Sequence, residues 1–166
     1  MEEYLKIIVG LYQQLLAKLK SKMSPSEQLA KLAESKIGTD FTNDATVPDE
    51  VSCAFAVSTI LKEHDVDIPI ILGTNALWRF MQNSPKFERI YEPERGCIVI
   101  SPTGTSTKSI MPNGHTGIYI DEVRILSNSS IAPQKGQWIN NYTRESWRER
   151  YHYLGGYPVY LYRKIS

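Results

Sequence analysis

The sequence predicts an α+β domain in which helices come first and the strands of an antiparallel sheet follow. The first half carries stretches with apolar residues at helical spacing. The second half carries short segments rich in β-branched and aromatic residues, separated by Gly, Pro, Asn and Ser. The 166 residues, 42% of them hydrophobic, suit one folded domain with a real core and an appended segment.

The appended segment, residues 1–22, predicts an amphipathic helix outside the main domain. Two interpretations stay open: the helix covers part of the domain, or it serves self-association or docking. Its acidic start contradicts an export signal, and its polar residues leave an apolar run far shorter than the roughly 20 residues of a membrane span. The residues at helical spacing are Tyr4, Ile7, Ile8, Leu11, Leu15 and Leu19.

The main domain is expected to cover residues 26–166 and to begin with three helices. The first is favoured by Ser26 and Glu27 and ends at Gly38. The second carries Cys53 near its start, with Asp49 or Ser52 as its cap, and runs to about His64. A short third helix follows, capped by Thr74.

Strands are predicted in the second half, with one more helix, "TRESWRERY", before the last of them. Trp147 and Tyr151, spaced i to i+4 in that helix, are interpreted as a face packed on the sheet. The predicted strands are "FERIYEP", "GCIVISP", "HTGIYID", "EVRILSN" and "YPVYLYRK".

Charge and composition exclude several classes of function. Nineteen basic and eighteen acidic residues leave a net charge of +1, too little for nucleic acid to be expected as a main partner. Two cysteines and three scattered histidines lack zinc-ligand spacing, and a domain of this size needs no disulfide. The polar loop 40–50 lacks the spacing of an EF-hand, so we expect a solvated loop and no cofactor. Its oxygen ligands are Asp40, Asn43, Asp44, Asp49 and Glu50.

Cys53 lies where a helix stabilises a thiolate, because free N–H groups and the positive end of the dipole meet in the first turn. Asp49 and Glu50 oppose this effect, since nearby negative charge raises a thiol pKa. A base is therefore needed as well. Without one, Cys53 is a small buried hydrophobic residue.

His115 is the candidate base. It follows Gly114 and opens the strand "HTGIYI", and strand ends often present functional side chains to a cleft. His64 lies on the order of 16 Å from Cys53 along the same helix, too far to be a partner. His152 is interpreted as a surface or packing residue.

The strand after His115 offers a group to orient its imidazole. A turn at residues 121–122 pairs His115 with Asn128, so that their side chains share a face. A shift by one residue offers Ser127 or Ser129 instead. On the same face, the missing side chain of Gly117 leaves room for the helix that carries Cys53.

These features resemble the CHAP domains of the wider CHAP and NlpC/P60 group of cysteine amidases and peptidases. The segments that carry the resemblance are "DEVSCAFAVSTIL", "GCIVISPTGT", "NGHTGIYI" and "ILSNSS", in that order, and it covers about residues 26–165. It implies a papain-like fold with Cys53 as nucleophile, His115 as general base and later acid, and Asn128 as the orienting residue. The sequence departs from the family pattern at Gly96-Cys97 and at Ala54-Phe55, positions that bear on the fit of the substrate.

The resemblance implies a peptidoglycan hydrolase that cuts an amide bond through a thioester, either a muramoyl-L-alanine amidase or a cross-link endopeptidase. It would be made in the cytoplasm without a signal peptide and act on the bacterial cell wall, as a phage-type lytic enzyme or on a particle. Trp138, in the exposed-looking "KGQWINN", is a candidate substrate contact. The alternatives are an acyltransferase or protein-cleaving peptidase on the same triad, and a silent wall-binding or interaction domain.

Overall fold

The computed structural model describes residues 2–20, 23–43 and 47–166. In these residues a 3₁₀ turn, Asp49–Val51, precedes the third helix, and the fifth continues as a π-helical segment, Arg148–Leu154. The helices are α1 Glu2–Lys20, α2 Pro25–Ser35, α3 Cys53–Glu63, α4 Thr74–Asn83 and α5 Arg144–Trp147. The strands are β1 Phe87–Ile90, β2 Ile98–Ser101, β3 His115–Asp121, β4 Arg124–Asn128, β5 Trp138–Tyr142 and β6 Tyr160–Lys164.

The described strands form one antiparallel sheet in the order β1-β6-β2-β3-β4-β5. The predicted α+β class is confirmed, and all five predicted strands are present. The sheet has one strand more than predicted, because "WINNY" pairs with β4 as an edge strand. Trp, Ile and Tyr are all good strand formers, so the signal was in the sequence.

One face of the sheet carries the three helices α2, α3 and α4. Strand β3 contributes Ile118 and Ile120 to this face, and β4 contributes Leu126. They pack against the small and aliphatic residues of α3, among them Ala56, Val57 and Ile60, which are fully buried. This aliphatic core fixes the start of α3, and with it Cys53, against the sheet.

The opposite face is aromatic and carries α5 with the π-helical segment. The prediction that helices pack on one face therefore holds for the N-terminal helices, whereas the helix before the last strand packs on the other face. Its interpretation as a face of Trp147 and Tyr151 against the sheet is confirmed. The aromatic cluster consists of Cys97, Val99, Tyr119, Ile125, Trp147, Tyr151 and Tyr157.

The hairpin between β3 and β4 turns one residue later than predicted. Asp121 pairs with Arg124, and a bulge separates that pair from Tyr119 and Ile125. The Asp121 carboxylate accepts the Val123 N–H at 3.1 Å and pairs with the Arg124 guanidinium at 2.7 Å, which holds the turn there. The predicted register is therefore wrong by one residue.

The predicted N-terminal helix is confirmed as α1. Its described apolar side chains are between 51 and 76% exposed, so these side chains do not pack on the domain core. Among the described helices, none combines the length and apolar character that a membrane crossing requires. The division into residues 1–22 and 26–166 stays a prediction.

Candidate active site

Cys53 is the first residue of α3 and is buried, with 6% of its surface exposed. The capping prediction holds for Ser52, which occupies the cap position, although its side chain makes no capping hydrogen bond. The Ser52 hydroxyl instead donates to the Asp49 carbonyl at 2.8 Å. The polypeptide between the 3₁₀ turn and α3 is thereby fixed around the thiol.

Burial dominates the electrostatics of the thiol. It raises the pKa of Cys53 from 9.0 to about 11, although the backbone N–H groups of Thr116, Ala54 and Cys53 itself act in the opposite direction. The thiol is therefore protonated at neutral pH. Thr116, the second residue of β3, has the largest of these opposing effects on the thiol.

Gly114 places His115 at the start of β3. A Cβ at this position would lie 1.9 Å from the Ser101 carbonyl oxygen, so only glycine lets the backbone after β2 pass so close. Thr103 accepts the Gly114 N–H at 2.9 Å through its hydroxyl, and Thr74 accepts the Thr103 N–H at 2.9 Å. Thr74 therefore anchors the "SPTGT" loop, while Gly73 occupies the cap of α4 that was predicted for Thr74.

His115 is enclosed by three aromatic rings and is 7% exposed. Tyr151 stacks on the imidazole with ring centroids 5.5 Å apart, and Trp147 and Tyr142 lie at 5.4 and 5.6 Å. Burial, with a smaller contribution from the charge of Arg150, lowers the pKa of His115 from 6.5 to about 3. The resting imidazole is therefore neutral.

Ser127 is the polar partner of His115. Its hydroxyl lies 3.0 Å from His115 Nε2 and is fully buried. Asn141 donates one Nδ2 hydrogen to Ser127 Oγ at 3.0 Å and reaches the Asn128 carbonyl at 3.4 Å. Ser127 thus keeps its proton and one lone pair for His115, so it can serve the imidazole either as donor or as acceptor.

Asn128 does not meet His115, and the prediction that it orients the imidazole is contradicted. The one-residue change of register turns Asn128 to the opposite face, where its Nδ2 donates to Ser52 Oγ and to the Asp49 carbonyl at 3.4 Å. In the observed register, Ser127 lies on the face of the sheet that carries His115. Asn128 instead holds the segment that leads into the Cys53 helix.

Gly117 has a different role from the predicted one. A Cβ at this position would lie 2.5 Å from the Leu126 carbonyl oxygen and 3.1 Å from the Ser127 Cβ, so the glycine allows the close approach of β4. Helix α3 packs on the other face of β3, with Ile118. The space at Gly117 is therefore taken by a strand.

Trp138 is fully buried, so the prediction that it contacts substrate is wrong. Its indole N–H donates to the Ala33 carbonyl at 3.0 Å, and its ring meets Phe41 edge-on with centroids 6.1 Å apart. Strand β5 carries it into the aliphatic core. The sequence around Trp138 looked exposed because "KGQ" and "NN" surround it.

The second cysteine takes no part in the site. Cys97 is a fully buried free thiol, like Cys53 unbridged, and burial raises its pKa to about 12. In the described part of the chain, no three His, Cys, Asp or Glu side chains come together as a metal site. Asp44, one of the loop carboxylates considered for calcium, lies outside the described residues.

Sequence reasoning missed the enclosure of His115 and the role of Asn141. The i to i+4 pair Trp147 and Tyr151 indicated a buried helix face, but nothing in its spacing indicated that an imidazole lies against it. Asn141 belongs to the unpredicted strand β5. Had "WINNY" been recognised as a strand beside β4, Asn141 would have been placed near Ser127.

The fold has known counterparts among NlpC proteins. NlpC2 from Trichomonas vaginalis is 16% identical, with a TM-score of 0.51 over 86% of this chain and 46% of its own. NlpC1 from the same organism is 18% identical, with a TM-score of 0.50 over 86% of this chain and 44% of its own. The present chain thus spans less than half the length of either protein.

No protein-family profile and no curated protein sequence matches this chain. At 16 and 18% identity the two structures establish the fold alone. The chain therefore has the papain-like architecture of NlpC proteins, with Cys53 at the start of its central helix and His115 at the start of the adjoining strand.

Proposed function

We propose that this protein is a cysteine amidohydrolase that cleaves an amide bond of bacterial peptidoglycan. One observation carries the proposal: Cys53 is the first residue of α3, His115 is the first residue of β3, and α3 packs against β3 within an NlpC-like fold. A thiol and an imidazole brought to one strand end by separate elements are the minimum that nucleophilic acyl transfer requires.

The reaction begins with attack of Cys53 on the amide carbonyl. The sulfur forms a bond to the carbonyl carbon while the thiol proton moves to His115, and the carbonyl oxygen becomes an oxyanion. The N–H of Cys53 is the proposed donor to that oxyanion. His115 then gives the proton to the amide nitrogen, the C–N bond breaks and the amine leaves a thioester behind.

Water completes the cycle. His115 accepts a proton from water as its oxygen adds to the thioester, and the proton returns to the sulfur when the C–S bond breaks. The products are a carboxylic acid and the regenerated thiol. The amide is either the link between muramic acid and the stem peptide or a bond within a peptide cross-link.

Because the thiol and the imidazole are both neutral before the reaction, the proton moves from one to the other during the attack. A thiol with its pKa raised to about 11 and an imidazole with its pKa lowered to about 3 remain neutral together. When His115 becomes an imidazolium, its Nε2–H donates to Ser127 Oγ, which has a lone pair for it. Ser127, in place of Asn128, is therefore the proposed orienting residue.

Clearing of a bacterial wall suspension tests the function. Wild-type protein should release soluble fragments with new amino groups, whereas Cys53→Ala and His115→Ala should release none. Cys97→Ala is the matched control, because it removes the other buried thiol and should retain clearing. Fragment mass spectra would identify which amide is cut.

Three results would contradict the proposal. Clearing by folded Cys53→Ala would remove the nucleophile from the mechanism. Absence of clearing by wild type, together with tight pull-down on insoluble walls, would show a binding domain. New amide products formed with an added amine, without free acid, would indicate an acyltransferase.

A further inference from the structure

Helix α1 presents an apolar surface that the described chain leaves uncovered. Over its 19 residues, the described Tyr, Leu, Ile and Val side chains are all more than half exposed. Leaving so much apolar surface in water is unfavourable by about 25 cal/mol for each Å². A surface of this kind in a soluble domain marks an interaction site.

The spacing of the apolar residues indicates what covers them. Tyr4, Ile8, Leu11 and Leu15 follow one another at intervals of four, three and four, the a/d pattern of a helix that packs along another helix. All four are exposed, between 56 and 76%. The seam therefore requires a second helix of matching pattern.

We propose that α1 pairs in antiparallel orientation with α1 of a second copy of this chain. One register sets Tyr4 against Leu15 and Ile8 against Leu11, and it does so twice because the two copies are related by a twofold axis. Every seam residue then meets a seam residue of the other copy. The same helix supplies both halves of the interface.

The charges along α1 favour the antiparallel over the parallel arrangement. Its amino-terminal end carries Glu2 and Glu3, and its carboxyl-terminal end carries Lys18 and Lys20. Antiparallel pairing brings ends of opposite charge together, whereas parallel pairing brings like charges together. A heavily basic face, which an anionic membrane would select, is absent from this sequence: residues 2–20 carry three lysines and two glutamates.

The test is the mass of the full chain in solution, measured by light scattering and sedimentation across concentration. We expect a dimer of the 18.9 kDa chain at tens of micromolar. Ile8→Lys, which places a charge in the seam, should give a monomer. Gln13→Lys adds the same charge outside the seam and should remain dimeric.

Charge reversal tests the orientation. Glu2→Lys with Glu3→Lys, or Lys18→Glu with Lys20→Glu, should each weaken the dimer by about tenfold at low salt. Combining all four substitutions should restore it, since opposite charges meet again.

A monomeric wild type, binding of monomers to anionic phosphatidylglycerol vesicles, or retention of the dimer in Ile8→Lys would overturn the proposal. Reversals that leave the dimer unchanged would show that the helices run parallel. Wall clearing is read separately in all variants, so failure here is independent of the proposed activity.

Discussion

The two faces of strand β3 differ in the chemistry that surrounds them. Ile118 and Ile120 point into the aliphatic core beneath α3, whereas His115 and Tyr119 point into a layer of aromatic and polar side chains. The first face builds the fold and supports the helix that begins at Cys53. The second surrounds the imidazole.

The aliphatic face supports the helix that begins at Cys53, whereas the aromatic face encloses His115 directly. Burial disfavours charge on both groups, which moves the pKa of Cys53 up and the pKa of His115 down. The polar side chains that form hydrogen bonds beside the imidazole are Ser127, which contacts His115 Nε2, and Asn141, which donates to Ser127. Substitutions on the aliphatic face should therefore change the free energy of unfolding alone. Substitutions on the aromatic face should also change the pKa of His115.

The largest expected effect is the loss of stability on replacing either of two buried tryptophans, one on each face of the sheet. Trp138→Ala and Trp147→Ala should each lower the free energy of unfolding by about 3–5 kcal/mol, since each empties a site in a packed core. Urea denaturation measures this loss. Trp138 belongs to the aliphatic core, and Trp147 lies 5.4 Å from His115 between ring centroids.

The imidazole distinguishes the two variants. In folded Trp147→Ala, water reaches His115 and its pKa should rise from about 3 towards 6.5, whereas Trp138→Ala should leave it unchanged. Titration of the His115 ring by NMR measures both. Equal shifts in the two variants would contradict the separation of the faces.

The next effect tests the strand register through neighbouring residues of β4. Ser127→Ala leaves His115 Nε2 without its partner, a loss of about 1–3 kcal/mol that lowers kcat/KM by about 5- to 150-fold. Asn128→Ala removes contacts to Ser52 and the Asp49 carbonyl, so it should lower stability. At temperatures where it is folded, its kcat/KM should stay near that of wild type.

The two variants are compared by their wall-clearing rates, measured where the same fraction of each protein is folded. A large loss in Asn128→Ala with none in Ser127→Ala would restore the register that places Asn128 beside the imidazole.

A pH effect follows from the depressed pKa of His115. Between pH 6.5 and pH 3 the unfolded chain binds a proton on this residue that the folded chain does not, so stability falls as pH falls through this window. The slope is about 1.4 kcal/mol for each pH unit. Urea midpoints between pH 6.5 and 4.5 measure it.

His115→Phe supplies the control, because the ring is retained among the aromatic side chains and the titration is removed. Its stability should depend less steeply on pH by this amount. Identical slopes would mean that the folded imidazole titrates normally.

The aliphatic face could be predicted from sequence, because each helix shows its buried side through apolar spacing and each strand through its composition. Cys53 and His115 were found from local signals, a helix start and a glycine before a strand. The partner of His115 depended on register, and a turn held by the Asp121 side chain shifted that by one residue. No local pattern records such a shift, so Ser127 remained one alternative among three.

The aromatic face depended on contacts between distant segments. Tyr142, Trp147 and Tyr151 reach His115 from β5, α5 and the π-helical segment. Large aromatic side chains such as these are expected to be buried, but tertiary packing decides which residue they enclose. Trp138 was misjudged for a related reason, since an edge strand with polar neighbours carries one side chain inward.

The smallest expected effect concerns Asn141, which acts on the imidazole through Ser127. Its amide donates to Ser127 Oγ, so Asn141→Ala should remove one donor and lower kcat by about two- to fivefold, the value of one modest hydrogen bond. Asn141→Asp should instead accept the Ser127 proton, so that Ser127 Oγ has only the His115 Nε2–H as a donor to it. Ser127 then acts as an acceptor towards the imidazole, which stabilises the imidazolium and raises the pKa of His115. A raised His115 pKa in Asn141→Asp identifies a positioning role. Equal losses of stability in the two variants, with an unchanged His115 pKa, would show that Asn141 merely holds β5 against β4.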